Sequence, residues 1–153
     1  MNTVIIEINA KPDQVFSWLD NPSKLSQWLP NIVENEVIQE TSNRVGSTWR
    51  QVYDQNGRRM EMFGTTTVWE KNKRLGCEIR GQMFDLDVDY QLEDLDGRTR
   101  LTQVSQVRMK GIFKLMGLIM TPFMKKAQGK QTDDSFLKLT RLVEAEAKSL
   151  KNN

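Results

Sequence analysis

The chain has 153 residues, of which 22 are basic and 20 acidic, so its net charge is only +2. This length suits one domain with a substantial core, and a hydrophobic content of 38% is too high for a disordered chain. The near balance of charge argues against nucleic-acid binding, which needs a basic face or stripe. We therefore expect a single domain over residues 1–153, with no nucleic-acid partner.

Targeting signals are absent from the sequence. The lone Cys77 cannot form an internal disulfide, so the fold needs no oxidising compartment. The N-terminus lacks the basic start and apolar run of a signal peptide. The most apolar stretch, residues 111–124, is interrupted by Lys114, Gly117 and Pro122 and is too short to span a bilayer. These features predict a soluble, cytoplasmic protein without stable membrane insertion.

The first thirty residues predict a strand followed by two short helices. Apolar residues alternate from Val4 to Ile8, as in a half-buried strand. Pro12 suits the first turn of a helix, where no backbone donor is needed. Asn21-Pro22 ends that helix and caps the next one, which Pro30 terminates.

The middle of the chain predicts antiparallel strands. Asn56-Gly57 and Asp96-Gly97 are hairpin signals, because both residue types tolerate positive φ. Between Phe84 and Leu92, three aspartates alternate with apolar residues, so one face is wet and the other packs. The turn signals bound six strands, near residues 32–40, 47–55, 58–69, 74–81, 84–93 and 98–108.

A long helix is predicted from Thr121-Pro122 to about Leu150. Its second half places large residues on one face: Phe136, Leu139, Thr140, Val143, Ala147 and Leu150. Traced backward, the same face reaches Thr132 and Gly129. This predicts that the second half seals against the sheet while the first half leaves space. The alternative is that Gly129 simply breaks the helix.

Two stretches resemble the START/SRPBCC superfamily, in its polyketide cyclase/dehydrase and lipid-transport branch. Residues 8–16, INAKPDQVF, are similar to its first strand and helix entry, and residues 19–30, LDNPSKLSQWLP, are similar to its next helical segment. Val45-Gly46, the turn and strand of residues 97–102, and the helix of residues 137–144 fall where that family has similar features. Together these motifs cover nearly the whole chain.

The resemblance implies an α+β helix-grip fold. In this architecture a curved seven-stranded antiparallel sheet surrounds a long C-terminal helix, with two short helices after strand 1. It also implies a deep cavity between sheet and helix that holds an apolar ligand. Function is implied only loosely, because the superfamily spans cyclases, lipid carriers, hormone receptors and stress proteins, and one fold can host many functions.

The residue inventory offers little catalytic chemistry. The chain has no histidine, which removes the commonest general base, the usual nucleophile pairs and most zinc sites. Asp85, Asp87 and Asp89 are spaced about 7 Å apart along a strand, which is typical of a solvated face. Cys77 stands alone. We therefore predict no catalytic residue, no metal and no cofactor, and binding is favoured over catalysis.

The candidate ligand-binding residues come from faces of the predicted strands and helix. Methionines adapt to irregular ligands, and a few polar groups such as Gln51, Gln103 and Ser105 orient a ligand in an apolar site. The alternative for each residue is a plain core position. The candidates are Trp49, Gln51, Tyr53, Met60, Met62, Val88, Tyr90, Gln103, Ser105 and Gly129.

The sequence supports three functional hypotheses. The first is a protein that binds or carries an apolar small molecule, lipid-like or aromatic. The second is a cyclase/dehydrase-type enzyme acting on a polyketide-like or aromatic substrate. The third is a protein-interaction module that docks through the apolar segment 110–120. We interpret that segment first as a lid over the cavity, then as a homodimer contact, and last as a patch that touches a membrane.

Overall fold

The computed structural model describes residues 1–112, 114, 115 and 122–153, without the side chains of residues 122–128. Seven strands and three helices are defined in this part of the chain. In order they are β1 (Asn2–Ile8), α1 (Pro12–Asp20), α2 (Pro22–Trp28), β2 (Ile32–Gln39), β3 (Thr48–Gln55), β4 (Arg58–Glu70), β5 (Arg74–Gly81), β6 (Phe84–Asp94), β7 (Thr99–Met109) and α3 (Pro122–Lys151).

The strands form one curved antiparallel sheet in the order β1-β7-β6-β5-β4-β3-β2. The helices α1 and α2 carry the chain from β1 at one edge to β2 at the other. Asn56-Gly57 and Asp96-Gly97 all have positive φ, as the hairpin prediction requires. The six strands predicted after α2 begin and end within one residue of the observed bounds. The predicted helix-grip fold is therefore confirmed.

The core lies between one face of the sheet, the two short helices and the second half of α3. We call this face of the sheet the inner face. The largest fully buried side chains include Trp28 from α2, Leu101 from β7 and Leu139 and Val143 from α3. The rest of the core cluster comes from β1, α1, β5 and β6, with members such as Ile8, Val15, Phe16, Leu19, Leu75, Val88 and Tyr90.

Trp28 joins the three helices. Its Nε1 donates a hydrogen bond to the backbone carbonyl of Trp18 at 3.2 Å, and its ring centroid lies 5.8 Å from that of Phe136. On the same side of α3, Lys24 Nζ pairs with Glu146 at 3.0 Å. The second half of α3 is therefore fixed to α1 and α2 by a buried aromatic contact and a half-exposed ion pair.

The long helix corrects one prediction from the sequence and settles one alternative. Leu150 was predicted on the buried face but is 58% exposed, because it lies in the last turn beyond the elements that cover Ala147. The helix runs without interruption through Gly129, which has no positive φ. The alternative that Gly129 breaks the helix is therefore wrong.

The three aspartates of β6 lie on the outer face of the sheet and are ion-paired. Asp85 contacts Lys110 at 2.7 Å, Asp87 contacts Arg80 at 2.8 Å, and Asp89 contacts Arg74 at 2.8 Å. Cross-strand partners thus neutralise a face that the sequence predicted only to be solvated. The pKa values of the Asp85 and Asp87 carboxyls are lowered, first by hydrogen bonds from Lys110 and Arg108.

The apolar segment 110–120 falls mostly outside the described residues, so its interpretation as a lid, dimer contact or membrane patch stays a prediction. Ile112 and Leu115, which are described, are both exposed. Among the described residues, no helix combines the length and the apolarity needed to cross a bilayer.

Replacing Trp28 with alanine is expected to lower the free energy of unfolding by about 3–5 kcal/mol, because a buried indole and its contact with Phe136 are lost. Trp28→Phe is the matched control. It keeps most of the packing and loses the hydrogen bond to Trp18, at a cost of about 1 kcal/mol. Urea unfolding of both variants measures the difference. A loss under about 1 kcal/mol for Trp28→Ala would show that α3 is held elsewhere.

Candidate functional site

The nine strand candidates share the inner face of the sheet. In the β3–β4 register, Gln51 is opposite Met62 and Tyr53 is opposite Met60. In the β6–β7 register, Val88 is opposite Ser105 and Tyr90 is opposite Gln103. Strand β5 connects the two groups, because Cys77 is opposite both Thr66 and Val88. Trp49 completes the set, opposite Gly64. The alternation that predicted each face therefore brings these residues onto one continuous surface.

Two hydrogen-bonded pairs supply the polar groups of this surface. On β3, the Tyr53 hydroxyl donates to Gln51 Oε1 at 3.0 Å, and Gln51 is only 3% exposed. Across β6 and β7, Gln103 Nε2 donates to the Tyr90 oxygen at 3.3 Å. Because Tyr90 accepts from Gln103, its own hydroxyl proton is available for another acceptor. The β3 side and the β6–β7 side of the inner face thus each hold one amide–phenol pair.

Burial raises the pKa values of three side chains on the inner face. It raises the pKa of Tyr53 to about 12 and that of the Cys77 thiol to about 12. The pKa of Tyr90 is raised as well, mainly by burial. These groups therefore hold their protons at neutral pH, where they can donate hydrogen bonds but do not act as bases.

Gly64 provides the seat for the Trp49 indole. A Cβ at residue 64 would overlap the ring of Trp49, which lies directly over the glycine backbone. A glycine inside a strand often marks such a close approach. The sequence placed Gly64 on the same face as Met60 and Met62, but nothing in the sequence identified the residue that covers it.

The described surroundings of α3 differ between Gly129 and the second half of the helix. Gly129 and Phe136 are seven residues apart, so their side-chain directions differ by only about 20°. At Phe136 this helix face is 3% exposed, whereas Gly129 is exposed and no described atom lies within 4 Å of its Cβ position. The buried residues described in α3 all lie between Ser135 and Ala147. Among the described atoms, the same helix face is thus packed at Phe136 and uncovered at Gly129.

Two clefts border the sheet. One, of about 540 Å³, lies where β4 extends past the end of β5, between residues 58–63 and residues 80–84. Its walls include the candidates Met60 and Met62. The other, of about 390 Å³, lies around Gly76 and is lined largely by outer-face residues such as Asp89 and Gln106. Each cleft thus contains two predicted site residues, since Val88 and Ser105 line the second.

Metal binding has no structural support in the described part of the chain. No group of three or more histidine, cysteine, aspartate or glutamate side chains is arranged to hold an ion there. Cys77, the lone thiol, is half-buried on the inner face.

The raised pKa values predict that stability falls as the pH rises above about 9. Cys77 ionises near 9.0 in the unfolded chain but only near 12 in the folded protein, so the unfolded state loses its proton first. Stability is therefore lost between these two values, and Tyr53 adds to the loss from 10.0 upward. Urea midpoints measured across this range test the prediction. Cys77→Ala should delay the onset to near the tyrosine value, and a flat profile in the parent protein would contradict it.

Comparison with solved structures supports the fold over nearly the whole chain. A START superfamily protein from Mycobacterium smegmatis aligns with a TM-score of 0.74 at 16% identity, covering 97% of both chains. A protein from Thermus thermophilus aligns at 0.76 and 15% identity, over 95% of this chain and 97% of its own. A protein from Chromobacterium violaceum aligns at 0.70 and 20% identity, over 94% and 97%.

Sequence comparison identifies the family. No curated protein matches this chain significantly. Residues 3–144, however, match the family described as polyketide cyclase/dehydrase and lipid transport. This match covers nearly the whole chain, and the helix-grip fold agrees with it. The protein therefore belongs to the polyketide cyclase/dehydrase and lipid transport family.

Proposed function

We propose that this protein binds and carries an apolar small molecule, lipid-like or aromatic, between the inner face of the sheet and the first half of α3. In this proposal residues 1–153 act as one ligand-binding domain and catalyse no reaction. The observation that carries it is the gap at Gly129. Among the described atoms, the helix face is packed at Phe136 and uncovered at Gly129 two turns earlier, which supports a ligand position there.

The composition of the facing strands suits such a ligand. Ligand sites are mostly apolar and contain a few placed polar groups that fix orientation. Here Met60, Met62 and Val88 supply apolar surface, and the pairs Tyr53–Gln51 and Tyr90–Gln103 supply polar groups. A ligand with an isolated oxygen in an apolar skeleton would match this surface better than a pure hydrocarbon.

Carrying a ligand is favoured over cyclase or dehydrase chemistry by the residues described on four of the facing strands. The inner-facing residues of β3, β4, β5 and β7 include no carboxylate. Burial raises the pKa values of Tyr53, Tyr90 and Cys77, so all three are protonated at neutral pH. The described groups on these strands can orient a ligand by hydrogen bonds but cannot withdraw a proton from it.

Gly129→Leu tests the gap directly. Leucine removes a helix penalty of about 1 kcal/mol and places a branched side chain in the open space, so the variant should stay folded and bind an apolar dye such as Nile red at least tenfold more weakly. Gly129→Ala is the matched control. It gives a similar gain in helix stability while filling little of the gap, so dye binding should change little.

Thermal melting and dye titration of both variants separate the possible outcomes. Unchanged dye binding by Gly129→Leu would place the ligand elsewhere. A marked loss of stability would mean that residue 129 packs tightly, since overpacking typically costs about 1–3 kcal/mol. Absence of dye binding by the parent protein would contradict the proposed function itself.

Gln103→Leu tests whether the Tyr90–Gln103 pair forms a hydrogen bond with an oxygen of the ligand. Fluorenone and fluorene have nearly the same shape and differ by a carbonyl oxygen, so their competition with the dye measures the contribution of that oxygen. We expect the parent to prefer fluorenone by roughly threefold to tenfold, the effect of one hydrogen bond. Gln103→Leu should reduce this preference more than it reduces stability, because the Tyr90 hydroxyl loses the amide that orients it.

Gln106→Leu is the control for this substitution, since Gln106 lies on the same strand but on the outer face. It should leave the preference for fluorenone intact. If Gln103→Leu instead gained stability and bound both compounds as the parent does, Gln103 would be a core residue without a role in binding.

A further inference from the structure

The cleft of about 540 Å³ is a notch in the sheet itself. Strand β4 begins at Arg58, but its pairing with β5 begins only at Met62, opposite Gly81. Residues 58–61 therefore pair with β3 alone among the described strands. Alternate residues of that segment direct their backbone N–H and C=O groups away from β3 and into the notch. Lys110 fixes the far side, because its backbone N–H donates to Met83 and its Nζ donates to the Gly81 carbonyl.

Strand β4 connects this notch to the proposed binding site. Arg58, Met60, Met62 and Gly64 alternate along one face, the inner face, from the rim of the cleft to the seat of Trp49. The distance from residue 58 to residue 64 is about 20 Å at the usual rise of a strand. One continuous track thus leads from an arginine at the rim, past two methionines, to an indole.

Arg58 is the cation of the cleft without an ion pair in the described part of the chain. The Arg80 side chain lies within 4 Å of three carboxylates, with the closest contact to Glu78 at 2.7 Å. Glu61, the one carboxylate among the described residues that line the cleft, is paired with Arg50 on the outer face. Arg59 points to the outer face, where it approaches Glu34 at 3.6 Å and Asp54 at 3.8 Å. The uncompensated charge therefore lies at the inner-face end of the cleft.

We propose that this cleft is the mouth of the binding site and that it selects amphipathic anions. The apolar body of the ligand lies along Met60 and Met62, and a carboxylate at its end is held by the Arg58 guanidinium. Free backbone N–H groups of the 58–61 segment face the same space and add donors for the carboxylate. This inference rests on the proposed function, because Met60 and Met62 belong to both the cleft and the inner face.

Gly81 helps to keep the track open. A Cβ at residue 81 would lie 3.0 Å from the Met62 Cε atom and 3.2 Å from the Phe84 carbonyl oxygen, so a larger residue would force the Met62 side chain to move. Met62 is itself buried, whereas Met60 is half-buried and nearer to the rim. The apolar side chains are therefore more buried with increasing distance from Arg58. This arrangement suits an anionic ligand that enters with its apolar tail first.

The test uses two fluorescent probes that differ only in the head group, pyrenebutyrate and pyrenebutanol. The parent protein should bind the carboxylate roughly tenfold more tightly than the alcohol, the effect of one charge-assisted hydrogen bond, and added salt should reduce the difference. Arg58→Gln should abolish this preference while its affinity for the alcohol stays within about twofold. Arg59→Gln, which removes the same charge from the opposite face, should keep most of the preference.

Each other outcome is decisive. Equal binding of both probes by the parent would overturn the selection of anions and leave the proposed function intact. An equal loss of preference in Arg58→Gln and Arg59→Gln would show a general effect of net charge and overturn the role of Arg58. Failure of the parent to bind either probe would overturn the proposed function and this inference with it. Both residues are exposed, so both variants should stay folded, and melting curves check this.

Discussion

The contact between Trp28 and Phe136 is the constraint on which the candidate site depends. It fixes the second half of a 30-residue helix to α1 and α2, with Leu139 and Val143 fully buried beside it. A helix of that length is a rod of about 45 Å, so fixing one half determines how far the other half stands above the sheet. In the proposed site, packing at Phe136 would therefore hold the helix above the sheet at Gly129, where no described atom lies within 4 Å of the Cβ position.

An open inner face has an energetic cost that a ligand can offset. Side chains that line an unfilled space lose the dispersion contacts of a packed core, and polar groups among them must be hydrogen-bonded to be tolerated. The pairs Tyr53–Gln51 and Tyr90–Gln103 meet the second requirement within the protein itself. An apolar ligand would supply the missing dispersion contacts and would stabilise the folded chain in proportion to its affinity and concentration.

The sequence predicted the fold closely because its signals are local. Asn56-Gly57 and Asp96-Gly97 define hairpins through their positive φ, and alternation within each strand assigned the inner face correctly. The ion pairs of Asp85, Asp87 and Asp89 and the seating of Trp49 on Gly64 could not be predicted. They depend on which residues of neighbouring strands lie opposite each other, and a period of two does not determine that register. Arg58 was not among the predicted site residues for the same reason. Its position on the same face as Met60 becomes relevant only because the pairing of β4 with β5 stops before residue 61 and leaves a notch beside it.

The two kinds of polar group in the proposed site are placed where their desolvation costs are lowest. A carboxylate loses much solvation when it is buried, so an anionic head is best held at the rim by Arg58, which is itself exposed. A neutral oxygen loses less, and one hydrogen bond compensates for it, so the amide–phenol pairs can lie deeper on the inner face. The site is thus graded from charge at the mouth, through methionines, to neutral hydrogen-bonding groups. This gradient orients a ligand by its solvation, with the head in water and the skeleton under α3.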